Sequence, residues 1–322
     1  SMDDYVRDGV LAALDHVHTA TREPVHLCGY CLGGTFAAIA AAALGGIGSA
    51  CLSSLTLLAA ETDFTEPGEM GVLIDEAQVR LLEDMMAAQG FLTGQQMAGS
   101  FQFLHSRELV WSSRTKRWLL GEDEVGNELM VWNADVTRLP AVMHSEYLRR
   151  CFLNNDLAEG RFPFEGNPIS MRDVRVPVFG VGTVKDHVAP WRSCYKMHRL
   201  VSGPVTFALT NGGHNAGIVS EPGHKGRHHQ LLSSAPDQPW RTPDEWIRHV
   251  GNCPSGAGKP SSASRRGIAV PSSSGSTRGA SLSCAYARAA SRTMRSSSES
   301  WLSSKKGSCQ LKAAWLMECS GK

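Results

Sequence analysis

No apolar run in this chain is long enough to be a transmembrane segment, and its start lacks the charged segment and short hydrophobic run of a secretion signal. A cysteine framework is missing too. The nine cysteines are an odd number without regular spacing, and Cys28/Cys31 has no second CxxC to complete a zinc ribbon. A disulfide scaffold and a structural zinc are thereby excluded, and a reducing, cytoplasmic setting is expected. Gly45, Gly46 and Gly48 follow a helix-forming run and have no P-loop lysine, so they are not a phosphate cradle. His224, His228 and His229 lie in a loop with no cysteine or carboxylate ligand set, and no metal is expected there.

Charge of one sign is also missing overall, at +1, but the two ends of the chain differ. Residues 251–322 hold eleven Lys/Arg against Glu299 and Glu318, leaving 21 bases and 29 acids ahead of them. The same 72 residues hold nineteen serines and few aliphatics, too little to offset chain entropy, so a disordered tail is expected. It has no aromatic-interleaved basic patch, and no nucleic-acid partner is expected.

What is present is organised around His26-Leu27-Cys28-Gly29-Tyr30-Cys31-Leu32-Gly33-Gly34-Thr35. Apolar residues over 25–30 predict a buried strand, and the alanine-rich run to Leu44 predicts a helix, with Cys31 at a sharp turn between them. Only small neighbours permit such an elbow, and the glycines supply them. The helix N-terminus lies under Cys31 and favours its thiolate. The CxxC leaves a redox role open; a buried Cys28 beneath a nucleophilic Cys31 is the preferred reading.

Residues 3–19 have helical periodicity, and 51–60 predict a second buried strand, a strand–helix–strand alternation that signals a parallel sheet. From about 64 to 170 the rhythm stops. Helical patterns over 72–88 and near 141–153 flank a stretch with Trp111, Trp118 and Trp132 that reads as the core of a helical cap or, alternatively, a separate helical domain. Strands return at 174–182 and 204–209, with a last ordered segment at 243–250. The expected organisation is a first core part (1–63), a helical cap (64–170), a second core part (171–250) and the tail (251–322). The chain enters directly into a helix, so a beginning in mid-fold is expected.

Cys31, Asp186 and His214 each follow a predicted strand, at the edge where open parallel sheets assemble their sites. Nucleophile, acid, then histidine is the α/β-hydrolase order. In that chemistry His214 takes the proton of Cys31, and Asp186 fixes the imidazole tautomer. Each signal alone has a plainer explanation: a buried inert cysteine, a helix-capping aspartate, a turn histidine. Their joint occurrence in this order is the stronger observation.

These residues resemble the poly(3-hydroxyalkanoate) synthases over about residues 3–250. The likeness rests on Asp3-Asp4-Tyr5-Val6-Arg7-Asp8, the box Gly29-Tyr30-Cys31-Leu32-Gly33-Gly34, Trp132-Asn133-Ala134-Asp135-Val136-Thr137-Arg138-Leu139-Pro140, Asp186-His187 before Pro190-Trp191, and Gly213-His214. The resemblance implies an α/β-hydrolase core, here truncated at its N-terminus, with a helical cap. It also implies a Cys-His-Asp triad that polymerises 3-hydroxyacyl-coenzyme A and releases coenzyme A, with no separate cofactor. Cys31 then holds the acyl chain and His214 is the base, while Asp186 supports His214 or helps activate the incoming hydroxyl. The backbone N–H of Leu32 is the oxyanion donor available at the elbow. Partners implied are the growing polyester chain and its granule in the cytoplasm, and a second copy as a homodimer. Family members extend far upstream of Asp3, where a second oxyanion donor lies, and the tail past Val250 reads as an altered frame. A thioesterase of the same fold and a catalytically impaired fragment are the alternative readings.

Overall fold

The apolar runs pair side by side into one five-stranded sheet in a computed structural model that describes residues 1–104, 111–121, 131–132, 135–220 and 224–252. Its strands are β1 (Val25–Tyr30), β2 (Leu52–Leu58), β3 (Val178–Thr183), β4 (Val205–Thr210) and β5 (His229–Ser234), adjacent in that order. β1 to β4 are parallel and β5 is antiparallel to β4. β2 stops at Leu58, short of the predicted end at Ala60, because Ala59 turns to φ 45°. β3 starts only after Pro177, which has no N–H to give to a ladder. β5 went unread: Gln230, Ser233 and Ser234 interrupt its only apolar pair, so it has no buried-strand signature.

Helix α1 runs from Met2 to Thr21, with π-helical turns over Tyr5–Leu11, and Val6 and Tyr5 pack it onto the core, Tyr5 stacking on Phe36 at 5.5 Å. Helix α2 (Leu32–Gly46) is apolar on every side and is buried over most of its length, as such a helix must be. It lies on the sheet so closely that a Cβ on Gly34 would sit 2.3 Å from the Cβ of Ala60.

Between β2 and β3 the chain is largely helical. Helix α3 (Glu76–Ala87) begins four residues later than the 72–88 pattern implies, because the Asp75 carboxylate caps it through Gln78 N at 2.8 Å. Helices α4 (Gly94–Leu104) and α5 (Ser112–Leu119) follow, then α6 (Ala141–Tyr147), which continues as π-helical Leu148–Leu153. Arg149 joins α6 to α3 through Glu83 at 2.8 Å and Glu76 at 2.9 Å. Of Met85 and Met86, both expected in this region's core, Met86 is buried and Met85 exposed, and Trp111 and Trp118 are 60% and 75% exposed against the same expectation. Aromatic size predicts burial only where another element covers the ring, and composition does not reveal that cover.

After β3 come α7 (Trp191–Tyr195) and, past β5, α8 (Pro243–Asn252), whose Trp246 packs on Phe207 and Tyr195. Asn133 and Ala134 of the Trp132–Pro140 stretch, and the tail beyond Asn252, lie outside the described residues. Among the described residues no helix is long and apolar enough to cross a membrane.

Candidate active site

Four adjacent parallel strands deliver four chemically distinct groups to one sheet edge: Cys31 after β1, Glu61 after β2, Asp186 after β3 and His214 after β4. This is the edge at which helix N-termini and loops converge in open α/β sheets.

Cys31 has φ 52° and ψ −129°, a conformation costly for any residue with a side chain. It is held there from both sides. Its N–H donates to Leu58 O at 2.9 Å, and its carbonyl accepts from Gly34 N at 2.8 Å and Thr35 N at 3.2 Å. The elbow also needs bare backbone opposite it, since a Cβ on Gly29 would lie 2.5 Å from Gly33 O and from Gly34 Cα. The glycine pattern read from sequence is therefore a packing requirement. Leu32 is the first helical residue, at the end where N–H groups have no partner one turn back.

Asp186 is buried and its acceptor sites are filled. Oδ1 takes the N–H groups of Val188 and Ala189, both at 2.9 Å, and Oδ2 faces His214 Nδ1 at 2.8 Å. It thus holds the turn before α7 and faces the histidine at once; it does not cap the helix itself, whose N-cap Pro190 has no side-chain cap bond. His214 is 2% exposed. With Nδ1–H assigned to Asp186 by this network, Nε2 has no hydrogen-bond partner and is the nitrogen left for Cys31. Burial alone lowers the basicity of this imidazole. Interaction with Cys31 and with Asp186, together with the hydrogen bond to Asp186, outweighs it and holds His214 well above the usual histidine value. Of the three predicted residues, His214 and Asp186 are joined directly, and Cys31 is near enough to act on the imidazole electrostatically.

Sequence reasoning missed Glu61. It is 4% exposed, Oε1 has no hydrogen-bond partner, and its backbone carbonyl accepts from Thr35 Oγ1 of α2 at 2.9 Å. Its carboxyl faces the Ser193 hydroxyl, whose hydrogen is already given to Glu66 O at 2.8 Å. Burial first, and then the charge of Asp186, push this carboxyl well above the usual range. A carboxylate immediately past a predicted strand end was the available signal.

The loop carrying His214 is braced on several sides. Lys185 N donates to Gly212 O at 2.8 Å and Thr210 Oγ1 to Gly217 O at 2.9 Å. The histidine-rich stretch after it folds back, with His228 N on Asn211 Oδ1 and Asn211 Nδ2 on Gly226 O, both at 2.8 Å. Among the described residues no group of His, Cys, Asp or Glu converges as a metal site.

Comparison with known proteins agrees with this geometry. Residues 8–221 match the family model described as alpha/beta hydrolase fold. The chain is 38% identical over 227 residues to the poly(3-hydroxyalkanoate) polymerase of Methylorubrum extorquens, covering 70% of this chain and 38% of that protein. It is 40% identical over 219 residues to the poly(3-hydroxyalkanoate) polymerase subunit PhaC of Rhizobium meliloti (strain 1021), covering 68% and 36%. It is 30% identical over 257 residues to the corresponding subunit of Cupriavidus necator, covering 78% and 44%. The chain thus spans about two fifths of the length of these relatives. It belongs to the α/β-hydrolase family, and within it to the poly(3-hydroxyalkanoate) synthases whose motifs its sequence carries.

Proposed function

We propose that this α/β-hydrolase, as a poly(3-hydroxyalkanoate) synthase, moves the acyl group of a 3-hydroxyacyl-coenzyme A onto Cys31 and from there onto a growing polyester. The observation that carries this reading is the buried His214–Asp186 pair, 2.8 Å apart, set beside a cysteine held in a strained elbow. The names of the relatives supply the substrate and product class.

In the first half-reaction the Cys31 sulfur attacks the thioester carbonyl, and the C–S bond to coenzyme A breaks. His214, protonated by the proton that Cys31 gave up, returns it to the departing thiolate. In the second, a hydroxyl gives its proton to His214 Nε2 and attacks the Cys31 acyl thioester. An ester forms and Cys31 leaves as thiolate, reprotonated through His214. Attacking and leaving sulfurs have comparable basicity, which suits thioester exchange better than a serine would. The Leu32 N–H at the start of α2 stabilises the oxyanion in both halves. Coenzyme A enters with the substrate and leaves as product, so no separate cofactor is required. The partners are the polyester chain, its cytoplasmic granule and a second copy of the protein.

Incubation with 3-hydroxybutyryl-coenzyme A, followed by intact-mass spectrometry and polymer recovery, tests this. The expected result is an acyl adduct lost in Cys31→Ala, together with polymer. Free 3-hydroxybutyrate without polymer assigns a thioesterase instead, and no adduct at all assigns a non-catalytic chain.

A further inference from the structure

Cys31 and His214 hang from strands that do not touch. β2 and β3 lie between β1 and β4, which separates their axes by about 14 Å at ordinary strand spacing. The loop after β4 must lean along the sheet edge to bring the imidazole to the sulfur. Its bonds to Lys185, Thr210 and His228 tie it to the β3, β4 and β5 side. The tie to β1 comes from Tyr30, which shares a peptide bond with Cys31.

We propose that Tyr30 and Asn215 form a clamp that sets the His214 imidazole against Cys31, making both of them positioning residues for acyl transfer. This rests on the reading of Cys31 as nucleophile. Tyr30 Oη donates to Asn215 Oδ1 at 2.7 Å, with His214 O at 3.1 Å as the weaker branch of the same hydrogen. Asn215 is 3% exposed, so this bond is made away from competing water. The Tyr30 ring covers one side of the imidazole, with centroids 5.1 Å apart and planes inclined at 40°. One residue therefore reaches the backbone, the neighbour and the ring of the base. Movement of the His214 loop away from the elbow breaks a partly buried hydrogen bond whose donor is fixed to the nucleophile's own backbone.

The titratable groups facing His214 are Cys31 from the elbow, Asp186 from the β3 loop and Glu61 from the segment after β2. A displaced imidazole no longer supports the Cys31 thiolate at low pH, and this is what separates positioning from general folding.

The test is alkylation of Cys31 by iodoacetamide between pH 5 and 9, followed on the Cys31 peptide, in the wild type, Tyr30→Phe, Asn215→Ala and the double variant. Tyr30→Phe keeps the ring on His214 and removes only the hydroxyl. Each single variant is expected to slow alkylation below pH 7 by about tenfold, the rate equivalent of one hydrogen bond, with little change at pH 9. The double variant is expected to be no slower than the singles, since both break the same bond. A wild-type profile in Tyr30→Phe overturns the clamp, as does an equal loss at every pH or multiplicative loss in the double variant. Acyl-adduct formation is measured in parallel: clamp-dependent alkylation without any adduct in the wild type sinks the acyltransferase reading and leaves the clamp standing.

Discussion

His214 Nδ1 meets Asp186 Oδ2 at 2.8 Å, with the two side chains 1% and 0% exposed. A pair this enclosed has no water to take over for a missing partner. Asp186→Asn keeps the shape but offers an N–H or a weaker acceptor to Nδ1, which misorients or mistautomerises the imidazole. The rate of acyl-Cys31 formation is expected to fall about a thousandfold or more, read by rapid-quench mass spectrometry. A loss of less than tenfold shows that His214 acts without Asp186.

Glu61 gives a prediction of stability against pH. Its folded-state carboxyl is raised above the unfolded value, by burial and then by Asp186. Its contribution is therefore full below the unfolded carboxyl range and is lost as pH rises through the folded value. Glu61→Gln keeps the shape without the titration, and its thermal midpoint should gain on the wild type steadily from pH 5 to pH 9. Parallel curves for the two proteins count against a neutral Glu61.

Two buried histidines act in the acid range. Burial lowers both His144 and His198 to about 4. Between the ordinary histidine value and that figure the unfolded chain binds more protons, so stability is lost as the pH is lowered through this window. The urea midpoint at pH 4.5 should lie below that at pH 7, and the gap should shrink in His144→Leu with His198→Leu. An unchanged gap assigns the acid loss to other groups.

The elbow glycines admit no side chain. Gly29→Ala drives a Cβ onto the Gly33 carbonyl and Gly34 Cα, and Gly34→Ala drives one onto Ala60. Backbone must move in the first case, so the cost is expected to reach or exceed the 1–3 kcal/mol of ordinary overpacking. Chemical denaturation measures it. Gly48→Ala, which meets nothing within 4 Å but sits at φ 66°, reports the conformational cost alone. Equal losses at positions 29 and 48 remove the packing account.

The strands at 25–30 and 204–209, the elbow and the order Cys31, Asp186, His214 were legible in the sequence because each is local. An apolar run declares a buried strand, glycines declare a tight turn, and a polar residue just past a strand falls at the sheet's carboxyl edge. β5 was not legible, since one leucine pair among polar residues has no period. The exposure of Trp111 and Trp118 was not legible either, because burial depends on what covers a ring and not on the ring itself.

By itself, then, the chain determined the four parallel strands, where the backbone must turn sharply, and in what order Cys31, Asp186 and His214 arrive. Only the tertiary structure decided that Glu61 is sealed in near Asp186 with its carboxyl raised, and that Tyr30 reaches across the sheet edge to Asn215. Dehydration and hydrogen-bond partners are sums over residues far apart in sequence, and they take a value only once β1 to β4 lie side by side.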